Sequence, residues 1–285
     1  MARLPEGFAS GDPNLYAAVR RSLLDALEAL ASHRSQLILV GAQAVHLRSQ
    51  EADLAGTAFT ADADLGIDPR ELADEPLVQE AMRSAGFDLV DHRNPGTWER
   101  HLCVGGVADI SVKVDLLVPE LLAGRGRRSA EVPPHDPQSF RRVEGIETAM
   151  VDNSPIAVSS LGPDDGRTIV VNVAGIPALL VAKAYKIRDR LAQPRPGREA
   201  DKDAGDVIRL MQASRPEQVA EAFGSLVTDS LIGDVTRNGL ELLQAQFGAQ
   251  RTPGTLMAAQ ALAGSVGTDF VQALAPAYMR QLGQH

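Results

Sequence analysis

The chain has 285 residues, of which 44% are hydrophobic and 23% charged, the proportions of a folded protein with room for one large or two ordinary domains. One cysteine excludes an internal disulfide and a cysteine-based zinc site, and a net charge of −9 excludes a surface that grips nucleic acid everywhere while leaving room for a local basic patch. No apolar run approaches the roughly 20 residues of a membrane helix, and no basic-plus-apolar leader opens the chain, so a cytoplasmic location with no membrane partner is expected.

Residues 1–11 read as a loose arm. Asp12-Pro13 then supplies an N-cap with proline at the first helical position, and Leu15, Val19, Leu23, Leu27 and Leu30 recur at helical spacing to about Ala31. The continuously apolar LILV of 37–40 suits a buried strand that ends at Gly41. Helix-forming residues follow, making a strand, tight turn and helix. The stretch 49–58 is a loop that delivers the chain to FTADADLGID at 59–68.

In that stretch a period of two puts Asp62 and Asp64 on one face and Ala61, Ala63, Leu65 and Ile67 on the other. Two carboxylates side by side on a half-buried strand repel, and a divalent cation is the simplest partner that makes the arrangement favourable. After Pro69 a helix is expected over about 70–84, stopped by Gly86. FDLV at 87–90 and HLCV at 101–104 read as strands, with a turn-rich piece from Asp91 to Trp98 between them and a Gly105-Gly106 hairpin turn after them. ADISVKVDLLVP alternates again, with Ile110, Val112, Val114 and Leu116 on one face and Asp109, Ser111, Lys113 and Asp115 on the other. Of the two acids, Asp115 is preferred as a third ligand because VKVDLLV embeds it in an apolar strand, where an unpaired charge is costly.

Residues 123–145 form the longest irregular stretch, and strand-like pieces follow at 147–151, 155–159 and 168–173. From Pro177 the character turns helical. One helix runs to about 192, the PRPGREAD linker interrupts, and others are expected from Asp201, then at 216–228, 230–248, 253–264 and 268–282. Along the first of them Lys183, Lys186 and Arg190 fall on one stripe, while Ala178, Val181, Ala182 and Tyr185 can turn inward.

A glycine turn after the first strand, a D-x-D strand and a further acidic strand together resemble the nucleotidyltransferase fold shared by DNA polymerase beta and many small transferases. The resemblance implies that Gly41, with Ala42 and Gln43 where the family usually has a second Gly or Ser, forms the phosphate-facing turn. It further implies that Asp62, Asp64 and Asp115 hold Mg2+ or Mn2+ for an NTP, and that the Thr60 hydroxyl supports an aspartate or a phosphate. LLVAKAYKIRDR followed by DKDAGDVIRLM resembles the carboxy-terminal helices of the AbiEii-type nucleotidyltransferases, which include toxin components of toxin–antitoxin and phage-defence systems. That likeness covers about 37–212. It makes Lys183 a phosphate-contacting lysine, with Lys186 and Arg190 beside it and Asp203 and Asp206 as supports. It also implies an RNA acceptor such as the tRNA 3′ end, or a protein side chain, and a cognate antitoxin.

The expected fold is therefore α+β, with a nucleotidyltransferase domain over 1–175 and a helical domain over 176–285 closing a cleft over it. The expected activity is transfer of an NMP from an NTP to an acceptor. A catalytically idle nucleotide-binding module and a metal-dependent phosphohydrolase are the alternatives. Two basic clusters stand out: RGRRS at 125–129 with Arg141 and Arg142, which as a bland reading is a solvated loop, and KAYKIRDR at 183–190. His46 reads as a helix residue at the core or rim, His92, His101 and His135 lack partners at metal spacing, and Trp98 reads as a core or loop anchor.

Overall fold

The computed structural model describes residues 13–49, 62–104, 107–162, 165–193 and 202–283. Among them the chain divides into two compact units, one within Met1–Gln43, Thr57–Val143 and Ser154–Val173, the other within Ala44–Gly56, Glu144–Asn153 and Ala174–His285. The architecture is α+β: a mixed sheet with flanking helices, followed by a run of helices. No described helix is long and apolar enough to cross a membrane.

The first unit is built on an eight-stranded sheet. In chain order its strands are β1 (Leu37–Val40), β2 (Asp62–Ile67), β3 (Asp88–Leu89), β4 (Thr97–Val104), β5 (Val107–Pro119), β6 (Arg141–Val143), β7 (Asn153–Ser159) and β8 (Thr168–Ala174). They lie in the order β3-β4-β5-β2-β1-β8-β7, with β6 paired to β5 off this path. β1 runs antiparallel to β2, and β2 runs parallel to β5. Helix α1 (Pro13–Ala29) opens with proline at its first position and covers one sheet face, where Leu15, Ala18 and Val19 join Val104, Ile110 and Val112 in one apolar cluster. The alternation of β5 is realised in its burial: Val112, Val114 and Leu116 are sealed, whereas Ser111, Lys113 and Asp115 are only partly covered.

The second edge of β5 is shared. β4 pairs with it antiparallel until Thr97 meets Asp115, and β6 then continues in parallel with Leu117 opposite Arg141. The changeover sits at Gly96, whose φ is +72°. A Cβ there would come 2.6 Å from the Leu116 carbonyl oxygen and overlap the Arg141 amide nitrogen, so only glycine lets the two strands abut.

The second unit holds α4 to α9, which follow α2 (Gly41–Arg48) and α3 (Val78–Ser84) in the chain. They are α4 (Ile176–Ala192), α5 (Lys202–Gln212), α6 (Pro216–Leu226), α7 (Gly233–Phe247), α8 (Pro253–Ala261) and α9 (Thr268–Leu282). Asp152 caps α4 from outside the helix, accepting from the Ala178 amide at 2.9 Å.

Several expected elements differ: β4 already begins at Thr97, inside the stretch expected to turn, and β6 lies in the stretch expected to be irregular. The helix over 70–84 is reduced to a single 3-10 turn at Pro69–Glu71 and the seven residues of α3, because Pro76 can neither donate into a helix nor let the preceding residue stay helical. The strand over 147–151 is a 3-10 turn, Glu147–Met150, whose four residues are all buried. The loop at 49–58, the Gly105-Gly106 turn and the PRPGREAD linker lie wholly or largely outside the described residues.

Candidate functional site

A single row of residues crosses four strands. Val40 on β1 pairs with Asp64 on β2, Asp64 with Asp115 on β5, and Asp115 with Thr97 on β4. Asp62, two residues before Asp64, lies on the same face of β2, opposite Lys113 of β5. The alternation legible in the sequence thus brings Asp62, Asp64 and Asp115 to one patch of the sheet.

Gly41 follows Val40 and lies directly against this row. Its φ is +71°, and a Cβ would stand 2.7 Å from Asp64 Cγ and overlap the carboxylate oxygen. Glycine is needed twice over, for a left-handed backbone and for the close approach of the first turn of α2 to an aspartate. Ala42 is partly exposed. Gln43 turns away from the acids, accepting from Arg20 Nε at 2.9 Å with its own side chain buried. Thr60 lies outside the described residues, and the side chain of Asp109 is likewise not described.

The carboxylates feel one another. Burial and the neighbouring Asp64 push the Asp115 carboxyl up to about 6; Asp62 adds a smaller push, and Arg141 and Thr97 pull back. Arg141 reaches Asp115 from β6, with Nη1 3.0 Å from Oδ2 and Nη2 3.4 Å from Oδ1, while Nη2 also donates to the Thr97 hydroxyl. Neither Thr97 nor Arg141 is assigned to the acids by the sequence reading. Arg141 lies 26 residues from Asp115 in the chain, and no local pattern joins them.

Three oxygen-donor acids whose mutual repulsion raises Asp115 suit a hard divalent cation such as Mg2+ or Mn2+ by donor chemistry. The ligand geometry is not closed, since no group of three His, Cys, Asp or Glu among the described residues is arranged to hold a metal, and Arg141 engages the Asp115 carboxylate. By donor chemistry Asp62 and Asp64 are the residues that would hold such a cation, while Asp115 is engaged by Arg141.

Lys183 belongs to the other unit and is only 2% exposed. Its ammonium donates to Asp203 Oδ1 at 2.6 Å and Asp206 Oδ2 at 2.7 Å. Arg190 bonds Asp203 and Arg209 bonds Asp206, each at 2.9 Å. Burial opposes the charges of Lys183 and Asp203, yet Asp203 and Asp206 hold the ammonium protonated well above its usual range. In turn Lys183, Lys186 and Arg190 hold Asp203 well below the usual carboxylate range. The Asp203 and Asp206 side chains expected to support Lys183 are the ones its ammonium contacts. What sequence spacing could not reveal is how deeply the ammonium is buried.

Trp98 is fully buried, its Nε1 donating to the Ser139 carbonyl at 3.2 Å, which makes it a core anchor. His135 is also internal: its Nδ1 accepts from the Val78 amide at 3.2 Å and its Nε2 pairs with the Ala73 carbonyl at 3.1 Å.

No family model and no curated protein matches the chain. Among solved structures it is similar to an antigenic nucleotidyltransferase-like protein from Paracoccidioides brasiliensis, with 18% identity and a TM-score of 0.43 over 80% of this chain and 94% of that one. A likeness at that level fixes no activity for this chain.

Proposed function

We propose that the chain is a nucleotidyltransferase that moves an NMP from an NTP to an acceptor, with pyrophosphate leaving. The observation that carries this reading is Gly41 at φ +71° lying against Asp64, which is itself in register with Asp115 on a parallel neighbour. A glycine turn pressed on Asp64 supports this reading, because backbone that would face phosphates then lies beside the groups that would hold Mg2+ or Mn2+.

The bound cation would supply charge neutralisation at the triphosphate and at the attacking oxygen. Asp62 and Asp64 would hold and orient it. Asp115, whose carboxyl is already raised, accepts the proton of the acceptor hydroxyl. Arg141 keeps Asp115 compensated and aligned in the free protein. Lys183, Asp203 and Asp206 hold α4 and α5 together.

The test is incubation with each α-labelled NTP, Mg2+ and total cellular RNA or protein. Label should enter an acceptor and be lost in Asp62→Asn and Asp64→Asn; retention of NTP consumption in both variants would sink the assignment. The likeness to AbiEii-type proteins extends the reading to a toxin with an RNA acceptor, such as the tRNA 3′ end, and a cognate antitoxin. Growth arrest on expression, relieved by Asp64→Asn, is the expected outcome.

The hold of Arg141 on Asp115 favours a second reading, a catalytically idle nucleotide-binding module. Tight NTP binding by calorimetry with no pyrophosphate release would select it.

A further inference from the structure

The loop between β5 and β6 is a built basic surface. Arg125, Arg127 and Arg128 are all exposed, and among the described residues no carboxylate forms an ion pair with them. Yet the loop that carries them is closely tied. Arg142 Nη1 donates to the Gly124 and Gly126 carbonyls at 2.9 and 3.2 Å, and the Arg142 amide donates to the Arg128 carbonyl at 2.8 Å. Arg128 Nη1 reaches the Arg93 carbonyl at 3.1 Å, the Glu131 amide returns to the Ala123 carbonyl at 2.9 Å, and Ser129 bridges to Arg141. Arg141 in turn contacts Asp115. A continuous path of backbone and side-chain hydrogen bonds therefore runs from the exposed arginines to the acidic row within one unit.

In a chain of net charge −9, three exposed arginines within four residues make a local positive patch. Guanidinium groups present forked donors that match phosphate oxygens, and several in succession match a chain of phosphodiesters better than one compact triphosphate.

We propose that Arg125, Arg127 and Arg128 form the docking surface for the phosphodiester backbone of an RNA acceptor, delivering it to the Asp62, Asp64 and Asp115 row by way of β6. This rests on the nucleotidyl-transfer reading for its purpose, while the binding itself needs neither NTP nor metal.

The experiment is fluorescence anisotropy of a fluorescein-labelled single-stranded oligoribonucleotide in EDTA at several salt concentrations. The full chain is compared with the Arg125→Ala/Arg127→Ala/Arg128→Ala variant, the corresponding triple lysine variant, and Asp62→Asn/Asp64→Asn. The triple alanine variant should bind at least about tenfold more weakly, with a log–log salt slope shallower by roughly 2, since each single-strand phosphate left without its arginine removes about 0.7. The lysine variant should keep most of the slope, and the aspartate variant, which removes negative charge from the row, should bind RNA no more weakly than the parent. Unchanged affinity in the triple alanine variant, or absence of RNA binding by the parent, overturns the surface. Loss of affinity for poly-glutamate with RNA affinity intact overturns it too, in favour of an acidic protein. RNA binding that depends on the arginines with no label transferred would refute the transfer reading and leave the surface standing. Transfer to RNA that the triple alanine variant performs as well as the parent would do the reverse.

Discussion

Lys183→Met isolates the buried charge cluster of the helical unit. Methionine replaces the aliphatic stem and removes only the ammonium, leaving Asp203 and Asp206 in a site where their side chains are 3% and 8% exposed. Removing one partner of a buried pair costs about 3–5 kcal/mol, because the charge left behind is uncompensated. Here Arg190 and Arg209 each keep hold of one carboxylate at 2.9 Å, which places the expected loss in the lower half, about 3–4 kcal/mol. With a urea dependence of about 2 kcal/mol per M, the midpoint should fall by roughly 1.5–2 M. The sign with pH also follows. A carboxyl held below its usual range, as Asp203 is, contributes stability above its unfolded value near 3.8 and loses it as pH falls. The gap between parent and variant should therefore narrow in acid. A loss under about 1 kcal/mol at neutral pH would show that the ammonium is not locked between the two acids, and the burial argument would fail.

Three further outcomes are expected. Gly41→Ala forces a side chain into a left-handed backbone and onto Asp64, so it should cost about 2–3 kcal/mol in urea titrations and weaken Mn2+ binding by paramagnetic resonance; an unchanged midpoint would contradict the close approach. Gly224, exposed in α6 with open space where a Cβ would go, should behave oppositely, with Gly224→Ala stabilising by about 0.5–1 kcal/mol in the same titration. Burial and His33 hold His135 below its usual value, so the unfolded chain takes up that proton first; stability from this group is full above about 6.5 and drains below it, and His135→Gln should flatten that part of the stability–pH curve.

Much of the fold was legible because burial imposed a period on the sequence. The LILV strand, the alternations of β2 and β5 and the helices from α4 onward follow from residue spacing alone. The carboxylate patch was legible for the same reason, since Asp62, Asp64 and Asp115 occupy the positions that alternation leaves uncovered. What escaped depends on partners distant in the chain. Nothing near Arg141 in sequence announces Asp115, and Glu147–Met150 reads as part of a short strand while folding as a buried turn. Pro76 was readable and was outweighed by the helical spacing around it.

The switch of partners along β5 also bears on how the protein avoids sticking to itself. A sheet's open edge offers unpaired amides and carbonyls to any other strand. One end strand, β3, is only two residues long and carries Asp88, and the other, β7, carries Pro155, which has no amide hydrogen to offer. The remaining opening, at Leu117–Pro119 beyond the end of β4, is closed by β6. Gly96 is therefore a safeguard as well as a hinge: Gly96→Ala should push β6 off and expose an apolar edge, and light scattering should register self-association before activity is ever measured.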